Sequence, residues 1–335
     1  MSIAYRKTGL MSLIAGLIII GLTASAYSDV EDVIKKSFDV GYGGRLTVIT
    51  PRGSIEVTTT SSEKVNVEII RKVDTYSEKE AEEILNNFVI DFRHSGKDVT
   101  IEAEYDKERR SFWDDIFRRI KVRYIISVPE KYNVDLKTSG GSISVDDLEG
   151  EVLAKTSGGS LHFGDIKGPV TGNTSGGSIS LDGCVGNAEV KTSGGSIKIG
   201  QVDGNIEART SGGSIHIESA KGSVVAKTSG GGIDVREVMG TIDASTSGGS
   251  VTAHLSKQPQ ANCELSTSGG SINVYLADDI AVDVDAKTSG GRVITDFPVT
   301  VQGELKKSAM IAKINGGGPQ LYLRTSGGNI KLNKM

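Results

Sequence analysis

The sequence predicts an all-β chain: a parallel β-solenoid (β-helix) of 18-residue coils with two short strands each, preceded by degenerate coils carrying a short helical insertion. Three observations predict it. The tetrapeptide Thr-Ser-Gly-Gly begins at 138, 156, 174, 192, 210, 228 and 246, a strict period of 18 residues, and a fixed period of this kind is the mark of stacked repeats. Within each period apolar and polar residues alternate with a spacing of two, the period of a strand. Aromatic residues make up only 5 % of the chain while glycine supplies 43 of its 335 residues, which suits a thin aliphatic core that grows by stacking.

Aligned on the motif, the strict units show what each position does. Five residues after each Thr stand Ile143, Leu161, Ile179, Ile197, Ile215, Ile233 and Val251, and two further on Val145, Phe163, Leu181, Ile199, Ile217, Val235 and Ala253. Polar residues separate these columns, so they mark one strand with an inward face. An apolar column follows at a bend (Leu148, Ile166, Cys184, Val202, Ala220, Val238), then a glycine column from Gly150 to Gly240. A second strand then faces inward at Val152, Val170, Ala188, Ile206, Val224 and Ile242. Glycine is expected to supply positive φ where the chain reverses. A coil this small cannot bury its apolar face alone; stacking pairs each strand with its equivalents above and below at about 4.8 Å.

The motif recurs at 267, 288 and 325, with a related Asn315-Gly316-Gly317 before the last. Cys184 falls in the bend column and Cys263 in the second inward column. They lie about four coils, or roughly 19 Å, apart at the sheet spacing, beyond the reach of a disulfide. Two buried free thiols are expected, with pairing between chains as the alternative.

Three segments divide the chain: 1–26, 27–137 and 138–335. Residues 1–26 read as a signal peptide, with Arg6 and Lys7 ahead of an apolar run from Leu10 to Leu22 and then Ala24-Ser25-Ala26. The run is shorter than the roughly 20 residues a spanning helix needs, and the alternative is an uncleaved anchor. Removing Arg6 and Lys7 would take the net charge from −4 to −6. The expected destination is periplasm, cell surface or medium. Residues 27–137 are less regular: strands are predicted at Arg45–Thr50, Gly53–Thr58, Val65–Ile70, Val99–Glu104 and Val122–Val128. Ser77-x-x-Glu80 is a capping box before a short helix with Ala81, Ile84, Leu85 and Phe88 on one face. This part is expected to cover the open end of the stack, as solenoid caps must.

The run Gly53-Ser54-Ile55-Glu56-Val57, the helix 78–87, the strand Val99–Glu104, Ile126-Ser127-Val128-Pro129 and then Thr-Ser-Gly-Gly-Ser-Ile together resemble the bacterial adhesin-like family called domain of unknown function 4097. The resemblance covers roughly residues 38–335. It implies an exported β-solenoid and brings no catalytic residues. The long 18-residue run and the Arg/Trp-rich insertion near 107–123 depart from the family pattern.

Three features are candidates for function. The residue before each motif is Lys137, Lys155, Asn173, Lys191, Arg209, Lys227, Ser245, Ser266, Lys287 and Arg324. In a stack these form one outward column, a candidate contact for an extended polyanion. The alternative is a solvated face that prevents sheet aggregation, partly neutralised by Glu189, Glu207 and Asp243 two residues earlier. Phe112, Trp113, Ile116, Phe117 and Ile120, flanked by Arg109, Arg110, Arg118, Arg119, Lys121 and Arg123, have the spacing of a basic amphipathic helix for a membrane or partner. The alternative is a lid packed on the solenoid. The Thr/Ser ladder is a candidate sugar- or water-ordering face; the alternative is bonding to the turn backbone.

Catalytic patterns are lacking. His162 and His216 share a column three coils apart, adjacent Asp pairs diverge in a strand, and the Gly-Gly motifs lack the Lys-Ser/Thr of a phosphate loop. No cofactor, zinc-spaced cluster, calcium loop or nucleic-acid partner is implied. The leading reading is an exported non-enzymatic binding or adhesion module for a cell-surface glycan or envelope polymer. The alternative is a structural or sensory envelope scaffold that self-associates or docks a membrane partner, and the third a polysaccharide-active enzyme.

Overall fold

The computed structural model describes residues 30–75, 77–105, 119–302 and 306–335. The predicted signal segment 1–26 and the residues Phe112, Trp113, Ile116, Phe117 and Arg118 of the predicted basic helix lie outside the described residues. The described residues form two long sheets of 14 and 15 strands and one helix, the all-β solenoid that the repeat predicts. The front sheet, of 14 strands, holds the strand after each Gly-Gly; the back sheet, of 15, holds the strand that ends at each motif Thr.

Successive coils stack in parallel and in register. Leu161 pairs with Ile143 and Ile179, and Val170 with Val152 and Ala188. Every inward column therefore stacks on itself, and its members are buried, each Val, Leu, Ile or Phe among them contributing about 1.5–3 kcal/mol by leaving water. Cys184 and Cys263 occupy two such positions as free, buried thiols.

The motif itself is a steric and hydrogen-bonding device. Its Thr points inward and is buried at every coil, while the next Ser is exposed. Thr156 Oγ1 donates to Gly141 O of the coil before it (2.8 Å) and accepts from Gly159 N–H (3.4 Å). The same bonds recur at Thr174, Thr192 and Thr210. The second glycine is required for room, not for positive φ as the sequence suggested: a Cβ on Gly159 would lie 2.1 Å from Gly141 O of the neighbouring coil, and no left-handed φ occurs there. Each coil thus rests on the backbone of the last with no space for a side chain.

Coil order departs from sequence order at both ends. The strand Gln320–Thr325 inserts between Cys263–Thr267 and Val282–Thr288, and Ile330–Lys334 between Ile272–Leu276 and Val293–Thr295. The last motif coil lies inside the one that precedes it in sequence. Likewise Arg45–Thr50 lies between Asp98–Tyr105 and Asn133–Thr138, and Ser54–Thr60 between Ile120–Pro129 and Ile143–Val145. Beyond these parallel coils the sheets end in antiparallel strands, except that Val293–Thr295, last in the front sheet, runs parallel to its neighbour. Val30–Asp39, Lys64–Val73 and Ile120–Pro129 close the front sheet at one end, and Phe88–Ser95 pairs with Asp98–Tyr105 in the back sheet. At the other end Val282–Thr288, Ala309–Ile314 and Val299–Val301 do the same.

The helix spans Glu78–Asn87, capped by Ser77, whose hydroxyl accepts from Glu80 N–H. Only half of the predicted capping box forms, because Glu80 turns away to Thr75 and Arg119. Ala81 and Ile84 are buried, and Arg71 ties the helix end to the first strand through Leu85 O, Phe88 O and Asp32. Among the described residues no helix is long and apolar enough to cross a membrane.

Candidate functional site

The back sheet carries the column that the sequence singles out. Register pairing runs Lys137, Lys155, Asn173, Lys191, Arg209, Lys227, Ser245, Ser266, Arg324, Lys287, so all seven cations stand on one face. Each rides on a short strand whose alternate residues are buried in the core, which fixes its direction outward.

Most of the column is internally paired. Lys137 meets Asp135 at 2.9 Å, Lys191 bridges Glu189 (2.6 Å) and Glu207 (3.2 Å), Arg209 meets Glu207 (2.7 Å) and Lys227 meets Asp243 (2.8 Å). Hydrogen bonds donated to Glu189 and Glu207 hold the Lys191 ammonium above its ordinary value, and those accepted from Arg209 and Lys191 hold the Glu207 carboxyl below its own. These groups are open to solvent, so screening leaves each pair little net energy. Among the described residues Lys155 and Lys287 have no acidic partner.

Coil intercalation creates a feature the sequence order hides. Arg324 becomes the direct neighbour of Lys287, and both border a shallow groove of about 270 Å³ lined also by Ser266, Ser268, Ser289 and Ser326. Arg324 is held by Asp285 at 2.5 Å, leaving Lys287 as the groove's unpaired cation. Ser266, the small column residue beside Arg324, lines the dip. At this size and openness the groove suits a segment of an extended molecule rather than an enclosed small ligand.

The front sheet offers a second charged group. His216 places Nδ1 3.0 Å from Asp234 and Nε2 3.2 Å from Glu218, and Arg236 reaches both acids. His162, three coils away, meets Ser180 instead. His254 stacks on Tyr275 with ring centroids 4.4 Å apart, and burial pushes its imidazole below the usual value. Among the described residues no group of His, Cys, Asp and Glu could hold a metal ion. The hydroxyl ladder serves the fold: the Thr hydroxyls bond turn carbonyls, and Ser142, Ser160 and Ser178 accept amide N–H groups from the next coil. Of the predicted membrane or partner helix Arg119, Ile120, Lys121 and Arg123 are described; Arg119 pairs with Glu80 at 3.1 Å, and the other three belong not to a helix but to the strand Ile120–Pro129, where Ile120 is buried and Arg123 binds Glu56 at 2.9 Å.

A stack of Thr-Ser-Gly-Gly coils between antiparallel caps can be compared with known families. The model of the family described as Toastrack DUF4097 matches residues 45–333. The chain belongs to this Toastrack family. None of the curated proteins matches it. Among solved structures, a protein titled a "putative adhesin" from Bacteroides fragilis is similar at 13 % identity and a TM-score of 0.34, covering 91 % of this chain and 97 % of that one. A "putative lipid binding protein" from Parabacteroides distasonis is similar at 13 % identity and 0.35, covering 90 % and 96 %. A "putative cell adhesion protein" from Clostridium sporogenes is similar at 11 % identity and 0.22, covering 92 % and 100 %. The Toastrack match takes in the seven column cations and leaves out the first strand, Val30–Asp39.

Proposed function

We propose that this Toastrack chain is an exported, non-enzymatic binding rod of the adhesin type, which engages a cell-surface glycan or envelope polymer along the outward face of its back sheet. One observation carries the reading: the column from Lys137 to Lys287 repeats in register on successive strands of a single rigid sheet. Side chains at a fixed spacing of about 4.8 Å make many equal weak contacts available to a polymer, and avidity rises with the number engaged together. The internal ion pairs rule against simple attraction of polyanions by bulk charge. Contact is instead focused where cations are unpaired, at Lys155 and at Lys287 beside Arg324.

The test is retention of the protein on immobilised polygalacturonate across a salt series. Changing Lys155→Ser and Lys287→Ser together is expected to abolish salt-sensitive retention, whereas changing Lys191, Arg209 and Lys227 to Ser reduces it less. Retention unaltered in both variants would remove the stripe as the binding element. Turnover of the polymer would favour the enzyme reading instead. Protease shaving of intact cells, with the mass of the chain read in parallel, tests export and the removal of residues 1–26.

A further inference from the structure

The strand Val30–Asp39 is the last of the front sheet and has a neighbour on one side only, Lys64–Val73. Among the described residues nothing pairs with its other edge, which runs ten residues without glycine or proline. At the opposite end of the rod the outermost strands, Val293–Thr295 and Val299–Val301, have three residues each. Natural sheets keep free edges short or interrupted because a long one is a template for another strand. The two ends are therefore unlike, and only one offers a long front-sheet edge.

The side chains of this strand say what would pair with it. Val30, Ile34 and Phe38 pack on the core yet stay partly open. On the same face Asp32 binds Arg71 at 2.6 Å, and the Lys36 ammonium lies 4.3 Å from the centre of the Phe92 ring. Read along the strand, this face is Val, Asp, Ile, Lys, Phe. It is symmetric about Ile34 with its charges reversed. In an antiparallel pair, directly opposed residues point to the same face, so a two-fold dimer must be centred on a residue. Centring on Ile34 sets Asp32 against the second copy's Lys36, Val30 against its Phe38 and Ile34 against its Ile34. Centring on Val33 sets Asp32 against Ile34 and Val30 against Lys36; centring on Lys35 sets Ile34 against Lys36 and Asp32 against Phe38. Only the Ile34 register meets charge with opposite charge and apolar with apolar at all five positions. On the outer face it brings no like charges together, since Glu31 meets Ser37 and Val33 meets Lys35.

We propose that two copies of this chain pair head to head through Val30–Asp39, antiparallel and centred on Ile34, joining their front sheets into one continuous sheet. The partner this edge fits is a second copy of the chain, and the dimer presents two back-sheet faces on one double-length rod. The interface is independent of whatever those faces bind.

A cysteine scan in expressing cells tests it. Directly opposed antiparallel residues have Cα atoms about 4.5–5.5 Å apart, within disulfide range, and the native Cys184 and Cys263 are buried and give no background. Ile34→Cys is expected to give a reducible dimer on a non-reducing gel. Val33→Cys and Lys35→Cys alone should not, while the two combined should. Light scattering of the full chain recovered from cells should give a dimer mass. Lys36→Glu, at an exposed residue with no ion pair among the described residues, sets like charges opposite one another at both Asp32 contacts. It should weaken the dimer about tenfold or more with unchanged thermal unfolding. Monomer at every concentration together with no Ile34→Cys cross-link, strongest cross-linking at Val33→Cys or Lys35→Cys, or an unaffected Lys36→Glu dimer would overturn the proposal.

Discussion

Arg324 and Lys287 are direct register partners on adjacent parallel strands of the back sheet, with the whole C-terminal cap lying between them in sequence. The strand that carries Arg324 separates Cys263–Thr267 from Val282–Thr288. Loss of this strand would unpair both neighbours at once. Leu323→Ala, at a fully buried site, is expected to cost about 2–5 kcal/mol. In hydrogen exchange, protection should fall together in 263–267, 282–288 and 320–325. Fraying confined to residues beyond 320 would contradict the intercalated order.

Gly158 and Gly159 are adjacent and chemically identical, yet their environments differ. A Cβ on Gly158 would meet its nearest atom at 3.7 Å, but on Gly159 at 2.1 Å, against a backbone carbonyl. Gly159→Ala should therefore separate two coils and cost about 3 kcal/mol or more, at the upper end of overpacking. Gly158→Ala should fall within about 0.5 kcal/mol. Paired urea melts of the two variants check this, and equal losses would contradict the steric reading.

Thr210 is buried, and its hydroxyl serves Gly195 O and Gly213 N–H. Thr210→Val keeps the shape but leaves both backbone groups unsatisfied, at an expected cost of about 1–3 kcal/mol. Ser211→Ala, at the exposed neighbour, should have almost no effect. The same melts measure both.

Burial pushes the Cys184 thiol up to about 11. Its folded value lies above that of the unfolded chain, so the unfolded state gives up the proton first as pH rises. The stabilisation is complete below about pH 8.5, the ordinary thiol value, and is lost as pH climbs towards 11. The loss is on the order of 3 kcal/mol at about 1.4 kcal/mol per unit. Cys184→Ala should flatten this part of the pH–stability curve. An unchanged slope between pH 9 and 11 would assign the effect to other groups.

The strict coils were legible in the sequence because each inward column is set by a period of two inside a period of 18. That phase also placed Cys184 and Cys263 in the core and the seven cations on one face. Coil order was hidden, since Thr325 carries the same motif as every other coil and fits equally well beside Thr267 or Thr288. The pairing of Arg324 with Asp285 was hidden with it. Val30–Asp39 escaped notice because the doublets Val33-Ile34 and Lys35-Lys36 break the alternation that marks a half-buried strand. Phe88 fits the apolar face of the helix and was assigned to it, but it is the first residue of the next strand.

The interleaving of coils at both ends of the stack leaves its middle free to change in number. Each strict coil offers the next the same contacts, from Thr hydroxyl to Gly carbonyl. Excision of residues 192–209 would seat Thr210 where Thr192 stood. The caps would not register the change, and the rod would shorten by one strand spacing, about 4.8 Å. Gene-level slippage in whole repeats would thus act as a molecular ruler, resetting how far apart the two ends are held while altering nothing at either end.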